Sequence, residues 1–119
     1  MARYHYVILS RTVPGKEAQF DEWYDKQHLA DVAKVDGIIS GRRFNIVFQK
    51  VYELDAPQWH SLTIYEIETD NPEGLLARLS SMSGSEAMPL SDALTKMGMI
   101  QVVGRLMGET PVVKSPANS

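Results

Sequence analysis

The sequence predicts an α+β fold of the βαββαβ, ferredoxin-like kind: one four-stranded antiparallel sheet with both helices on a single face. Two observations order the elements. Four stretches alternate with a period of two and are rich in β-branched and aromatic residues, at residues 4–12, 38–51, 60–68 and 98–107. Two others carry apolar residues at helical spacing, at residues 16–34 and from residue 71 onward. A third observation concerns assembly. The first strand is apolar on both faces, yet helices on one side cover only one of them, so the second face calls for another layer. A second copy of the chain, paired sheet to sheet in a symmetric dimer, supplies it.

In the first strand His5, Val7, Leu9 and Arg11 share one face, and Tyr4, Tyr6, Ile8 and Ser10 the other; Pro14 and Gly15 end it. The first helix has acidic residues near its start, as the helix dipole favours. At about 100° per residue, Phe20, Tyr24, His28, Asp31 and Val35 fall on one broad face, with Trp23 at its edge. Asp36 and Gly37 end this helix, with Gly37 as a left-handed cap. The second strand, or a strand leading into a hairpin arm, places Ile38, Ser40, Arg42 and Phe44 on one face and Ile39, Gly41, Arg43 and Asn45 on the other. A loop over residues 53–59 precedes the third strand. There Leu62, Ile64 and Glu66 alternate with Ser61, Thr63, Tyr65 and Ile67. Asn71-Pro72-Glu73 opens the second helix, with Pro72 at the first helical position and Leu75, Leu76 and Leu79 on its buried side. Residues 80–86 read as a mobile loop, residues 88–96 as a short helix or irregular lid, and residues 98–107 as the last strand. Residues 1–109 are expected to form one domain and residues 110–119 a disordered tail.

Composition excludes several functions. A net charge of -3 argues against the basic surface that nonspecific nucleic-acid binding requires. The absence of cysteine removes disulfides, thiolate metal sites and cysteine nucleophiles. Its three histidines are scattered over strand, helix and loop, which is not a metal-ligand spacing. No dinucleotide or phosphate-loop fingerprint occurs, so no cofactor is expected. No apolar run reaches membrane-spanning or signal-peptide length, and a cytoplasmic protein without membrane contact is the expectation.

Phe20-x-x-Trp23-Tyr24-x-x-x-His28-Leu29-x-Asp31-Val32, followed by Val35-x-Gly37-Ile38-x-Ser40-x-Arg42-Arg43-Phe44, resembles the dimeric α+β barrel superfamily, most closely its EthD-like bacterial members. The chain departs from that pattern at Ala30, where a proline is expected. The resemblance implies two ferredoxin-like sheets closing into a barrel across a homodimer, with a pocket between sheet and helices in each subunit. It also implies a choice among cofactor-free monooxygenases of aromatics, lactone isomerases, polyketide cyclases, haem-handling enzymes and proteins without a known reaction. Fold alone does not choose among them.

His28 is the main candidate for chemistry, because a neutral imidazole takes a proton from an acidic phenol or activated C–H and returns it. Asp31 or Asp25 would orient its ring, while Tyr24, Trp23 and Phe20 would wall in an aromatic substrate. Arg42 and Arg43 alternate, so one of them faces the pocket; Arg43 is the favoured one, holding a carboxylate or enolate-like oxygen. Tyr65 would donate a hydrogen bond to a bound oxygen, and Met88 would line an apolar pocket. By the resemblance, a first-strand histidine can be catalytic in polyketide cyclases, which makes His5 a further candidate. The functional expectation is a cofactor-independent isomerase, lyase, cyclase or oxygenase acting on a small aromatic or polyketide-like substrate. The alternatives are a noncatalytic binder of an apolar ligand and a haem-handling protein.

Overall fold

The computed structural model describes residues 1–111. Its elements run β1 (Ala2–Thr12), α1 (Glu17–Trp23), a π-helical turn (Tyr24–His28), α2 (Leu29–Ala33), β2 (Ile38–Asn45), β3 (Ser61–Thr69), α3 (Pro72–Met82) and β4 (Leu94–Gly104). The strands form one antiparallel sheet in the order β2-β3-β1-β4. With α1, the π turn and α2 acting as one bent helical unit, this is the ferredoxin-like α+β fold.

One face of the sheet carries the core. Tyr6 and Ile8 of β1 and Tyr65 and Ile67 of β3 pack against Val32 and Val35 of the first helical unit and Leu75 and Leu79 of α3. Tyr6 and Tyr65 sit opposite each other in the ladder, so their rings meet at 5.8 Å. Phe20, Tyr24 and Ala93 form a second, smaller cluster. The entry to α3 is built as its sequence requires: Asn71 accepts a hydrogen bond from the Gly74 amide through its side chain, and Pro72 takes a first-turn position where its missing N–H costs nothing. Gly37 has φ +99°, a left-handed conformation that lets the chain leave α2 and enter β2.

Four expectations needed correction. The first helix is not continuous. A π turn takes in one additional residue, which rotates everything after it by about 100° relative to an unbroken α-helix. Val32 therefore occupies the buried position expected for Asp31, and Asp31 moves to the edge. The regular strand β2 ends at Asn45, short of residue 51, and an irregular excursion follows to His60. A bulge between Ile38 and Ser40 puts Ile38 opposite buried Ile67 and off the face of Ser40, Arg42 and Phe44. Finally, β4 spans Leu94–Gly104 where residues 98–107 were expected; of the helix or irregular segment expected before it, residues 88–93 are turns and irregular chain. Of the tail expected at residues 110–119, residues 112–119 lie outside the described residues. Among the described residues no helix is long and apolar enough to cross a membrane.

The other sheet face is left open. It presents Val7, Leu9, Leu62 and Ile64, with Phe44, Ile100 and Val102 exposed at 43%, 37% and 52%.

Candidate functional site

Between the sheet and the helices lies a cavity of about 490 Å³. Its floor is the helix-facing side of β1 and β3, where alternation brings Tyr6, Ile8, Ser10 and Tyr65 upward together. The helical unit supplies Trp23, Tyr24, His28 and Val32, α3 supplies Leu76 and Leu79, and the following loop supplies Met88. Met88 is held by a turn in which its carbonyl accepts from the Gly84 amide and its amide donates to the Ser85 carbonyl.

Three aromatic rings meet at the wall. Trp23 stacks on His28 with centroids 4.5 Å apart and planes 27° from parallel, and Tyr24 meets His28 edge-on at 4.9 Å. Trp23 is pinned by its indole N–H, which donates to the Pro89 carbonyl at 3.1 Å. Packed this way, the imidazole is desolvated. Burial lowers its pKa from 6.5 to about 4, with the Asp31 carboxylate pulling weakly the other way. His28 is accordingly neutral at pH 7. Its Nδ1 is buried and has no hydrogen-bond partner, and Asp31 Oδ2 is in the same condition.

The floor adds polar groups of the same kind. Tyr65 is 0% exposed, and burial drives its phenol well above the usual range, as it does for Tyr6. Burial also raises Tyr24, countered in part by the nearby hydroxyls of Thr63, Tyr65 and Ser10 and by the Arg43 guanidinium. These hydroxyls are neighbours and not bonded pairs, since Tyr65 and Thr63 both lack a hydrogen-bond partner. Buried polar atoms without partners are uncommon in folded proteins, and a group of them beside a cavity is what a bound polar atom would satisfy.

Arg43 does face the helices, on the side of Gly41 and Thr63, but it does not line the cavity. Its side chain is 7% exposed and fully engaged. It grips Asp25 through two parallel bonds of 2.6 and 2.8 Å, donates to Asn45 and Ser61, and lies 3.2 Å from Asp21. That grip holds the Asp25 carboxyl below the usual carboxylate range, and it removes Asp25 as an orienter of His28. Asp21 also meets His60 Nε2 at 2.7 Å. The Arg43 cluster therefore ties α1 to β2 and β3, and no free guanidinium is left for a substrate.

Of the residues expected from the sequence, His28, Tyr24, Trp23, Tyr65 and Met88 come together around the cavity. Phe20 stands behind Tyr24 and contacts it at 5.5 Å, and Asp31 sits at the helix edge; neither lines the space. His5 lies exposed on the opposite sheet side from Tyr6. Sequence reasoning passed over Tyr6, Ser10, Leu79, Lys96 and Met99. The alternation Tyr6-Ile8-Ser10 carried the signal for the first two. Among the described residues no three His, Cys, Asp or Glu side chains gather as a metal site.

No family model matches the chain, and no curated protein matches it in sequence. Among solved structures, an EthD (ethyl tert-butyl ether D) family protein of Bacillus halodurans is similar, with a TM-score of 0.52 and 15% identity over 87% of this chain and 99% of that one. The likeness is one of fold. It agrees with the strand order and helix placement above, and at that identity it carries no residue roles.

Proposed function

We propose that the cavity binds a small aromatic or polyketide-like molecule and that His28 moves a proton on it, without a cofactor, in a reaction of the isomerase, lyase, cyclase or cofactor-free oxygenase class. The observation supporting this most is the imidazole itself: neutral, stacked on Trp23, lining the cavity, with Nδ1 unpartnered. Such a ring accepts a proton from a ligand O–H or activated C–H. A base whose pKa is near 4 is a strong acid once protonated, so it hands the proton on quickly to another ligand atom. The unpartnered Asp31 carboxylate favours the transient imidazolium, and the Tyr65 hydroxyl can donate to the oxygen where negative charge develops. In this reading a second copy covers the open sheet face, giving a homodimer with one cavity per subunit.

The same low proton affinity favours a second reading. Net proton uptake at neutral pH is disfavoured, which suits a noncatalytic carrier whose histidine only accepts a hydrogen bond from the ligand. The deciding experiment follows hydrogen–deuterium exchange at activated carbons of hydroxynaphthalenes and aryl β-diketones in D₂O by NMR, with wild type and His28→Gln. Exchange by wild type and none by the folded variant supports proton transfer. Retention of unaltered compound by both, without exchange, supports the carrier.

A further inference from the structure

The cavity contains one formally charged side chain, Lys96, and its presence there is the work of an irregularity in β4. Along β1, Leu9 pairs with Ile100 and Arg11 with Thr95, so two steps on β1 correspond to five on β4. The extra residues form a wide bulge with Gly98 at φ +79°, where a Cβ would lie 3.1 Å from Pro57 and 3.3 Å from Arg11. Arg11 clamps it by donating to the Met97 carbonyl at 2.8 Å, and Trp59 donates to the Gly98 carbonyl at 2.9 Å. The bulge switches the alternation of the strand. Leu94 and Lys96 line the cavity before it, and Met99 and Gln101 line the cavity after it, while Ile100 and Val102 pair on the open face. In an unbroken strand Lys96 would share its face with Ile100 and Val102.

Among the described residues Lys96 takes part in no ion pair. The walls around it are otherwise uncharged, and Lys96 itself is solvent-exposed, so it stands at the rim. A cation at the mouth of a cavity that holds no counter-charge is matched by a ligand bearing a negative charge.

Resting on the ligand-binding reading above, we infer that the ligand is an anion: an aromatic body between Trp23, Tyr65 and Leu79, with a carboxylate or equivalent charged group on Lys96. Lys96 is then the residue that selects charged over neutral ligands, and His28 and Tyr65 act on the buried end of the molecule.

The test uses the full chain and two probes of nearly equal shape, 2-naphthoate and 2-naphthamide. Affinity is measured by calorimetry, and the indole N–H signal of Trp23 shows whether binding is in the cavity. Wild type should prefer the acid by roughly fivefold, the scale of one exposed ion pair, and should lose that preference at high salt. Lys96→Met and Lys96→Gln should bind the acid as weakly as the amide, and Lys96→Arg should retain the preference. Equal binding of both probes to wild type with the Trp23 signal displaced, or a preference that survives in Lys96→Met and Lys96→Gln, overturns the Lys96 assignment and leaves the cavity reading standing. Failure of both probes to move Trp23 overturns the two together.

Discussion

Trp23 and His28 lie face to face although they are five residues apart on one helical unit. In a continuous α-helix that spacing separates two side chains by about 140°, and they could not stack. The π turn from Tyr24 to His28 closes a hydrogen bond from i to i+5 and widens the helix, so the same spacing comes close to a full turn. The irregularity of the helix thus creates the ring pair that desolvates the imidazole, and it carries the following residues round so that Val32 reaches the core.

Desolvation of His28 has a consequence for stability. With the folded pKa at about 4 and the unfolded one near 6.5, the unfolded chain binds more protons between these values, so stability rises with pH across that window. The contribution is complete above pH 6.5 and is lost as pH falls toward 4. A tenfold change in proton affinity is worth about 1.4 kcal/mol, which makes the full effect about 3 kcal/mol. Asp25, held below the usual carboxylate value by Arg43, loses its stabilising share only at still lower pH. Urea titrations at pH 4.5 and 7 should show the difference in wild type and a much smaller one in His28→Gln.

Gly41 is required by the ring beside it. A Cβ there would lie 2.7 Å from Tyr65 Cε1 and 2.8 Å from Cδ1, so the buried ring would have to shift toward the cavity. Gly41→Ala should cost about 1–3 kcal/mol in chemical denaturation. It should also displace the Tyr65 hydroxyl from the cavity floor and weaken naphthoate binding.

Arg43 should behave as a structural tie. Its paired bonds to Asp25 need the planar guanidinium, which a lysine does not reproduce. Arg43→Met should lower stability by about 1–3 kcal/mol, because Asp21 and Asp25 lose their shared partner, and Arg43→Lys should recover only part of that loss. Thermal unfolding of the two variants is the measurement. Full rescue by lysine would count against the tie.

The open sheet face predicts the assembly. Val102 is half exposed beside Val7, on the edge strand that borders the apolar surface. Val102→Asp leaves the core untouched and puts a charge where a partner sheet would lie, so light scattering should show a folded monomer in place of the proposed dimer. A wild type that is monomeric at micromolar concentration would remove the dimer from the proposal.

Period-two and helical spacing alone yielded the order of the elements, the two helix starts and the core of the sheet. Together with the resemblance carried by the helix-to-strand signature, they also put Tyr24, His28, Trp23 and Tyr65 among the site candidates, and Met88 joined them from its place beside a loop. Four candidates do not line the cavity, Phe20 and Asp31 among them, and the other two show why. His5 is one residue out of phase with the cavity floor, since alternation puts Tyr6 there instead. Arg43 looks like a substrate clamp in the sequence, which does not show that Asp25, eighteen positions earlier, folds back to occupy it.

Sequence by itself determined the order of the elements along the chain, most of the buried sheet face and the presence of an imidazole on an aromatic helix. Tertiary structure decided the π turn that stacks Trp23 on His28, the saturation of Arg43, and the bulge that brings Lys96 into the cavity wall. Each of these is a departure from regular geometry, held by contacts from elements distant in the chain. Periodicity describes regular elements and is silent about where they break.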